Sequence, residues 1–239
     1  NQNLSYSASI GYRNPIKSLF FSVIYSNTKT KNNLLYNNQI LDNGATEFQA
    51  IEQDNDRLSH NFMTRVSKYF SEINTNLTLS ANHSLQDFEQ ILNNEVADIA
   101  NQNWRFNGKI DTDITDWLNT EIESIFQFSK NQIQEQDNQT IPQQFHKFNI
   151  NIYPKKNQYI GLKTEYVKNN LFTVNTENFF AALVYRYTWK KKNIDFEFQF
   201  NNIFNTENYR TINIDTFSHV ESNFRLRPRQ GLFNIRFSL

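Results

Sequence analysis

The chain has 239 residues and a formal net charge of zero, so no global pull toward nucleic acid is expected. It has no cysteine, which excludes a disulfide framework and a thiolate metal site. Mean hydropathy is -0.69 and no stretch approaches the roughly 20 apolar residues of a membrane helix, yet the 15% aromatic content is too high for a disordered chain.

The elements alternate with the period of two that marks strands. Leu4, Tyr6, Ala8, Ile10 and Tyr12 share one face, against Ser5, Ser7, Ser9 and Gly11. Asn14-Pro15-Ile16-Lys17 forms a tight turn. Leu19, Phe21, Val23 and Tyr25 then alternate with Phe20, Ser22, Ile24 and Ser26, leaving the orientation of this strand open because both faces carry apolar residues. A polar stretch over about residues 27–56 follows and reads as a long functional loop.

The next strand runs near Leu58 to Phe70, turns at Ser71–Asn74 and returns through Leu77, Leu79 and Ala81. Between about Leu85 and Asn101, the residues Phe88, Ile91, Leu92, Val96 and Ile99 have approximate helical spacing, which predicts a short helix. Strands through Phe106 and Phe126 flank a turn at Asp113–Asp116, and a polar loop covers 131–143. Phe148, Ile150 and Ile152 lead to Pro154–Asn157, and Ile160, Leu162 and Tyr166 lead to a loop near 168–177. A strand through Phe180, Ala182, Val184 and Arg186 reaches Lys190-Lys191-Lys192, and Ile194, Phe196, Phe198 and Phe200 climb back. Asp195, Glu197 and Gln199 then line the opposite, wet face. A loop over about 205–222 precedes a last strand in which Phe233, Ile235, Phe237 and Leu239 oppose Asn234, Arg236 and Ser238.

These strands are longer than the 5–6 residues common in soluble sheets and match the roughly 9–11 needed to cross a bilayer. Connections alternate short and long, as in outer-membrane barrels. Tyr12, Tyr69, Phe70, Trp117, Tyr153, Tyr159, Tyr187 and Trp189 cluster beside the short turns and read as an aromatic girdle. The fold class expected is all-β, an antiparallel transmembrane β-barrel segment of about eleven long strands. Single-chain bacterial barrels have even strand numbers, so an odd count predicts at least one strand upstream. The start at Asn1, without Met or a signal peptide, is read as an internal cut in an exported precursor; the rival is a cytosolic protein with its start removed.

Two segments carry a resemblance. Asn202-Ile203-Phe204-Asn205-Thr206-Glu207-Asn208-Tyr209 looks like the Asn-Leu-Phe-Asn/Asp…Tyr signature that ends the penultimate strand of TonB-dependent receptors, and Leu226-Arg227-Pro228-Arg229-Gln230-Gly231-Leu232-Phe233 resembles the entry to their last strand. Tyr12 to Phe21 is similar to a hairpin of the same barrels. The resemblance implies that residues 1–239 form the C-terminal half of a 22-stranded barrel whose plug domain is absent. It further implies the cell outer membrane of a Gram-negative bacterium. The partners implied are outer-membrane lipid, TonB through the missing N-terminal part, the barrel-assembly machinery through Phe233, Ile235, Phe237 and Leu239, and a surface lipoprotein.

His60, His83, His146 and His219 are dispersed and read as polar-face or loop residues, so no metal site and no cofactor is expected. Asp111, Asp113 and Asp116 read as a polar turn, and Lys190-Lys191-Lys192 as a solvated one that could touch anionic head groups. No catalytic constellation is present, so an enzyme is not expected. For ligand contact the candidates are Tyr36, Asp42, Phe48 and Glu52, since aromatics beside carboxylates suit a sugar, peptide or metal chelate; packing of this loop against its neighbours is the alternative. Three functions follow: a receptor taking up a scarce nutrient (siderophore, glycan or peptide), a passive porin or structural barrel, and a soluble secreted all-β adhesin.

Overall fold

The computed structural model describes residues 2–32, 34–40, 46–51, 55–92, 95–133, 140–171, 174–214 and 219–237. The strands are β1 (Gln2–Asn14), β2 (Leu19–Lys31), β3 (Leu35–Ile40), β4 (Thr46–Ile51), β5 (Arg57–Phe70), β6 (Thr75–Leu92), β7 (Glu95–Thr115) and β8 (Leu118–Ile133). They continue with β9 (Ile141–Ile152), β10 (Gln158–Leu171), β11 (Val174–Trp189), β12 (Ile194–Asn201), β13 (Asn208–Ile214), β14 (His219–Arg225) and β15 (Gln230–Phe237). Among the described residues the one helical segment is a 3-10 turn at Ser71–Ile73.

Eleven strands form a single antiparallel meander in the order β1-β2-β5-β6-β7-β8-β9-β10-β11-β12-β15, as the alternation predicts. The sheet is all-β and consistent with a barrel segment; among the described residues no pairing joins β1 to β15. Two hairpins depart from the meander at its long-connection end. One is β3–β4, which meets β6 through a single parallel pair, Asn37 with Ile91. The other is β13–β14, a separate two-stranded sheet.

Short connections are tight for local reasons. Lys17 N–H donates to the Asn14 side chain at 3.0 Å and Ser18 N–H to the Pro15 carbonyl at 3.1 Å. Asn74 and Asn193 close their turns at φ 45° and 52°, in the left-handed region where asparagine is better tolerated than bulkier residues.

The helix predicted over 85–101 is not formed. That segment is the outer half of the β6–β7 hairpin, paired up to Leu92 with Glu95. Ile91 and its neighbours Ala97 and Ile99 are buried although they lie on opposite faces of the sheet, so the clean alternation of a strand is lost and mimics helical spacing. The supposed loops are also largely strand. β2 runs on to Lys31, β10 and β11 pair up to Leu171 with Val174, and the stretches 27–56 and 205–222 each hold a hairpin. Polar residues on both faces hide these extensions, because a strand without an apolar neighbour has no reason to alternate.

Candidate functional site

The functional surface begins with register. Following the pairs from β1 to β15 sorts the side chains onto two faces of one sheet. Ile10 opposes Val23, Val23 opposes Thr64, and Thr64 opposes Ala81. Ala81 opposes Phe106, Phe106 opposes Phe126, and Phe126 opposes Gln144. Farther along, Phe148, Thr164 and Ala181 share this face, then Leu183, Phe200 and Gly231. A continuous apolar face results, and it stays open: Phe106 is 41% exposed, Phe233 62% and Phe237 68%. Register also settles β2, whose Leu19, Phe21, Val23 and Tyr25 join this face while Phe20 and Ile24 turn to the other.

The other face is polar and cross-linked. Near the short turns one network runs from β15 to β7. Glu197 is buried at 4% exposure; its carboxylate accepts from Arg186 Nε at 2.8 Å and from Gln199 at 2.7 Å, with Arg236 at 3.9 Å. The Arg186 guanidinium lies 5.7 Å over the Tyr159 ring. The Tyr159 hydroxyl donates to Asn151 at 2.8 Å, and Asn151 donates to Asn119 at 3.0 Å. Asn119 Nδ2 then donates to Asp111 at 2.8 Å and Asp113 at 2.9 Å. The wet face predicted for Asp195, Glu197 and Gln199 is thus a load of shared bonds in which Asp111 and Asp113 hold Asn119. Gly161 makes room for this, since a Cβ there would lie on the Tyr159 hydroxyl and 2.8 Å from its Cζ.

Two groups of sequence-predicted residues need correction. In the girdle, Tyr12, Phe70, Tyr187 and Trp189 lie on the apolar face, but Tyr69 pairs with Asn76 on the polar face and Tyr159 belongs to the network, with Tyr153 packed 5.5 Å from it. Strand ends place aromatics on either face, and only register separates them. Conversely, His60, His83 and His146 lie on the apolar face rather than the polar face or a loop. Each has a partner that lowers the cost of this position: His60 shares a hydrogen bond with the Tyr25 hydroxyl at 2.8 Å, His83 stacks on Trp104 at 3.6 Å and accepts from Gln102, and His146 shares a bond with Ser124.

At the long-connection end lie the ligand candidates. Tyr36 opposes Ala50 and Phe48 opposes Asn38 in the β3–β4 register, so the hairpin brings these two segments together. Asp42 and Glu52 lie outside the described residues, as does Leu239 of the last strand. Leu35 is buried, and where β5 begins, Asn55 takes the place of a strand residue: its side chain donates to the Glu89 carbonyl and accepts from the Glu89 N–H, both at 3.3 Å. At the long-connection end of β5, β6 and β7 a recess of about 370 Å³ is lined by Asp56, Asp87, Glu89 and Asp98. Lys29 reaches Asp56 at 2.8 Å, and this hydrogen bond holds the Asp56 carboxyl below the ordinary aspartate range. Asp87, Glu89 and Asp98 fall in the segment whose spacing predicts a helix, and Asp56 in the stretch read as a loop, so only strand pairing brings the four together.

The segment Asn202–Arg229 forms a corner that ties β12 to β15. Asn202 (φ 53°) donates through Nδ2 to the carbonyls of Thr206 and Arg227, both at 2.9 Å, and accepts from Thr206 N–H at 2.8 Å. Asn205 (φ 56°) accepts from Arg229 N–H at 3.2 Å. Phe204 packs on Phe179 at 5.1 Å and Tyr209 on Phe180 at 5.8 Å. Compared with protein-family models, curated proteins and solved structures, the chain matches none.

Proposed function

We propose that this chain is part of the barrel of a TonB-dependent receptor in the outer membrane of a Gram-negative bacterium, which takes up a scarce nutrient such as a siderophore, glycan or peptide. The observation that carries the reading is the apolar face shared by all eleven meander strands and left exposed. An apolar surface of that extent calls for a lipid environment. The opposite face, polar and hydrogen-bonded across strands, suits a water-filled or plugged lumen. The Asn202 corner supports the family resemblance, since both asparagines of the segment do structural work that other residue types do poorly in left-handed backbone.

In this reading the long-connection end is extracellular and contacts the nutrient, with β3–β4 and the acidic recess as the candidate surface. A plug domain preceding the chain moves when TonB pulls. The last strand is read by the barrel-assembly machinery, and a surface lipoprotein covers the ligand end.

The coding sequence upstream of Asn1 tests this. A plug domain there supports the receptor; its absence leaves a passive porin or structural barrel. Partition into the aqueous phase without detergent favours a soluble adhesin. In the full-length protein, Phe237→Asp is expected to cut the heat-modifiable, membrane-inserted fraction severely, and normal insertion of that variant counts against the assignment.

A further inference from the structure

We infer that the turns β9–β10 and β11–β12 form a binding surface for anionic phospholipid head groups, on the leaflet at the short-turn side. The inference rests on the membrane reading above and adds a lipid-selective site to it.

The turns carry Lys155-Lys156 and Lys190-Lys191-Lys192, all exposed. Neither turn contains a carboxylate, and none of the five lysines enters an ion pair among the described residues. Topology places the turns two strands apart, because β10 and β11 are neighbours. Adjacent strands are about 4.8 Å apart, so the turn centres are separated by about 10 Å. That is about one Debye length at 0.1 M salt, and the five ammonium groups act as one field.

The pair is also held together. Thr188 N–H donates to the Asn157 carbonyl at 2.9 Å and Asn157 Nδ2 donates to the Thr188 carbonyl at 3.3 Å. Asp195, the carboxylate nearest in sequence to Lys192, is engaged on the polar face by the Thr188 hydroxyl at 2.6 Å. The neighbouring β7–β8 turn is the opposite in sign, with Asp113 and Asp116. The five lysines are thus the densest basic group on the short-turn rim, to which the β1–β2 turn adds the single Lys17.

What selects a lipid partner is Trp189. It directly precedes Lys190, lies on the apolar face through its pairing with Ile194, and is 42% exposed. An indole on the apolar face marks the bilayer interface, and the lysines follow at the height of the phosphodiesters. Lysine ammonium groups bind phosphate as point charges on flexible stems.

The test uses the full-length protein reconstituted in vesicles of phosphatidylcholine containing either brominated phosphatidylglycerol or brominated phosphatidylcholine. The Trp189 contribution is the difference in quenching between the native protein and Trp189→Phe. Phosphatidylglycerol is expected to be enriched at Trp189 by about fivefold or more. Lys155→Gln, Lys156→Gln, Lys190→Gln, Lys191→Gln and Lys192→Gln together should equalise the two lipids, while Asp113→Asn with Asp116→Asn should keep the preference. Equal quenching in the native protein, or a preference that survives loss of the lysines, overturns the proposal while leaving the membrane reading intact. A preference abolished by inorganic phosphate but not by chloride of equal ionic strength also overturns it, in favour of a free-phosphate site. Quenching by neither lipid overturns the membrane reading and the proposal with it.

Discussion

The two faces of the meander are held by different physics. The polar face completes its own bonds: Glu197, Arg186, Tyr159, Asn151 and Asn119 are linked across successive strands. The apolar face offers mainly contacts between neighbouring side chains, such as Phe196 on Phe233 at 6.4 Å, and leaves many of its rings partly exposed, Phe233 at 62%. The first face completes its bonds by internal pairing, whereas the second leaves apolar side chains exposed, which the proposed membrane location would cover with lipid. One sheet can carry both because successive side chains point in opposite directions.

Adjacent substitutions on β9 probe this contrast most strongly. Phe148→Lys puts a charge on the apolar face and is expected to cost about 2–4 kcal/mol of stability in bilayers, against less than about 1 kcal/mol for Asn149→Lys. Asn149 opposes Glu121, which can take the new ammonium. Urea unfolding in vesicles measures both, and equal losses would break the distinction between the faces.

Arg186→Ala removes the main partner of the buried Glu197 carboxylate. A fully buried pair broken this way loses 3–5 kcal/mol, but the Arg186 side chain is 43% exposed, so about 2 kcal/mol is expected. Restoring stability with Glu197→Gln in the same protein would show that the orphaned charge caused the loss.

The glycines sharpen the comparison further. Gly161→Ala must displace Tyr159 from Asn151 and is expected to cost about 1–3 kcal/mol. Gly108→Ala, on the apolar face, meets only Leu79 Cδ2 at 3.4 Å and should be close to neutral. The same unfolding assay ranks them, and a reversed order would contradict the close packing of the network.

The smallest effect concerns Asp56, at the rim beyond both faces. Its carboxyl is held below the ordinary aspartate range by the hydrogen bond from Lys29. Because the folded value is depressed, the associated stabilisation is present above the unfolded value and lost as pH falls through the folded one. Lys29→Ala should move the Asp56 titration upward toward the ordinary range, as followed by carboxyl NMR; an unmoved titration would show that Lys29 is not the cause.

Much of this was legible residue by residue. The eleven-strand count, the tight turns at Asn14–Lys17 and Ser71–Asn74, and the apolar side of β12 and β15 follow from alternation and turn chemistry. Tyr36 and Phe48, read as loop residues, lie on paired strands, and the carboxylates Asp87, Glu89 and Asp98 of the acidic recess lie in a stretch where alternation fails.

What the chain alone determined is therefore its all-β character and, on most meander strands, a greasy and a wet face, because strand geometry is local and has a period of two. Tertiary structure alone decided which way β2 faces, that Tyr69 and Tyr159 turn away from the girdle, that three histidines lie on the apolar side, and that Glu197 meets Arg186. Those outcomes depend on register between strands, and a shift of one residue would exchange the faces of an entire strand. No single strand contains that information; the pairing of the whole meander does.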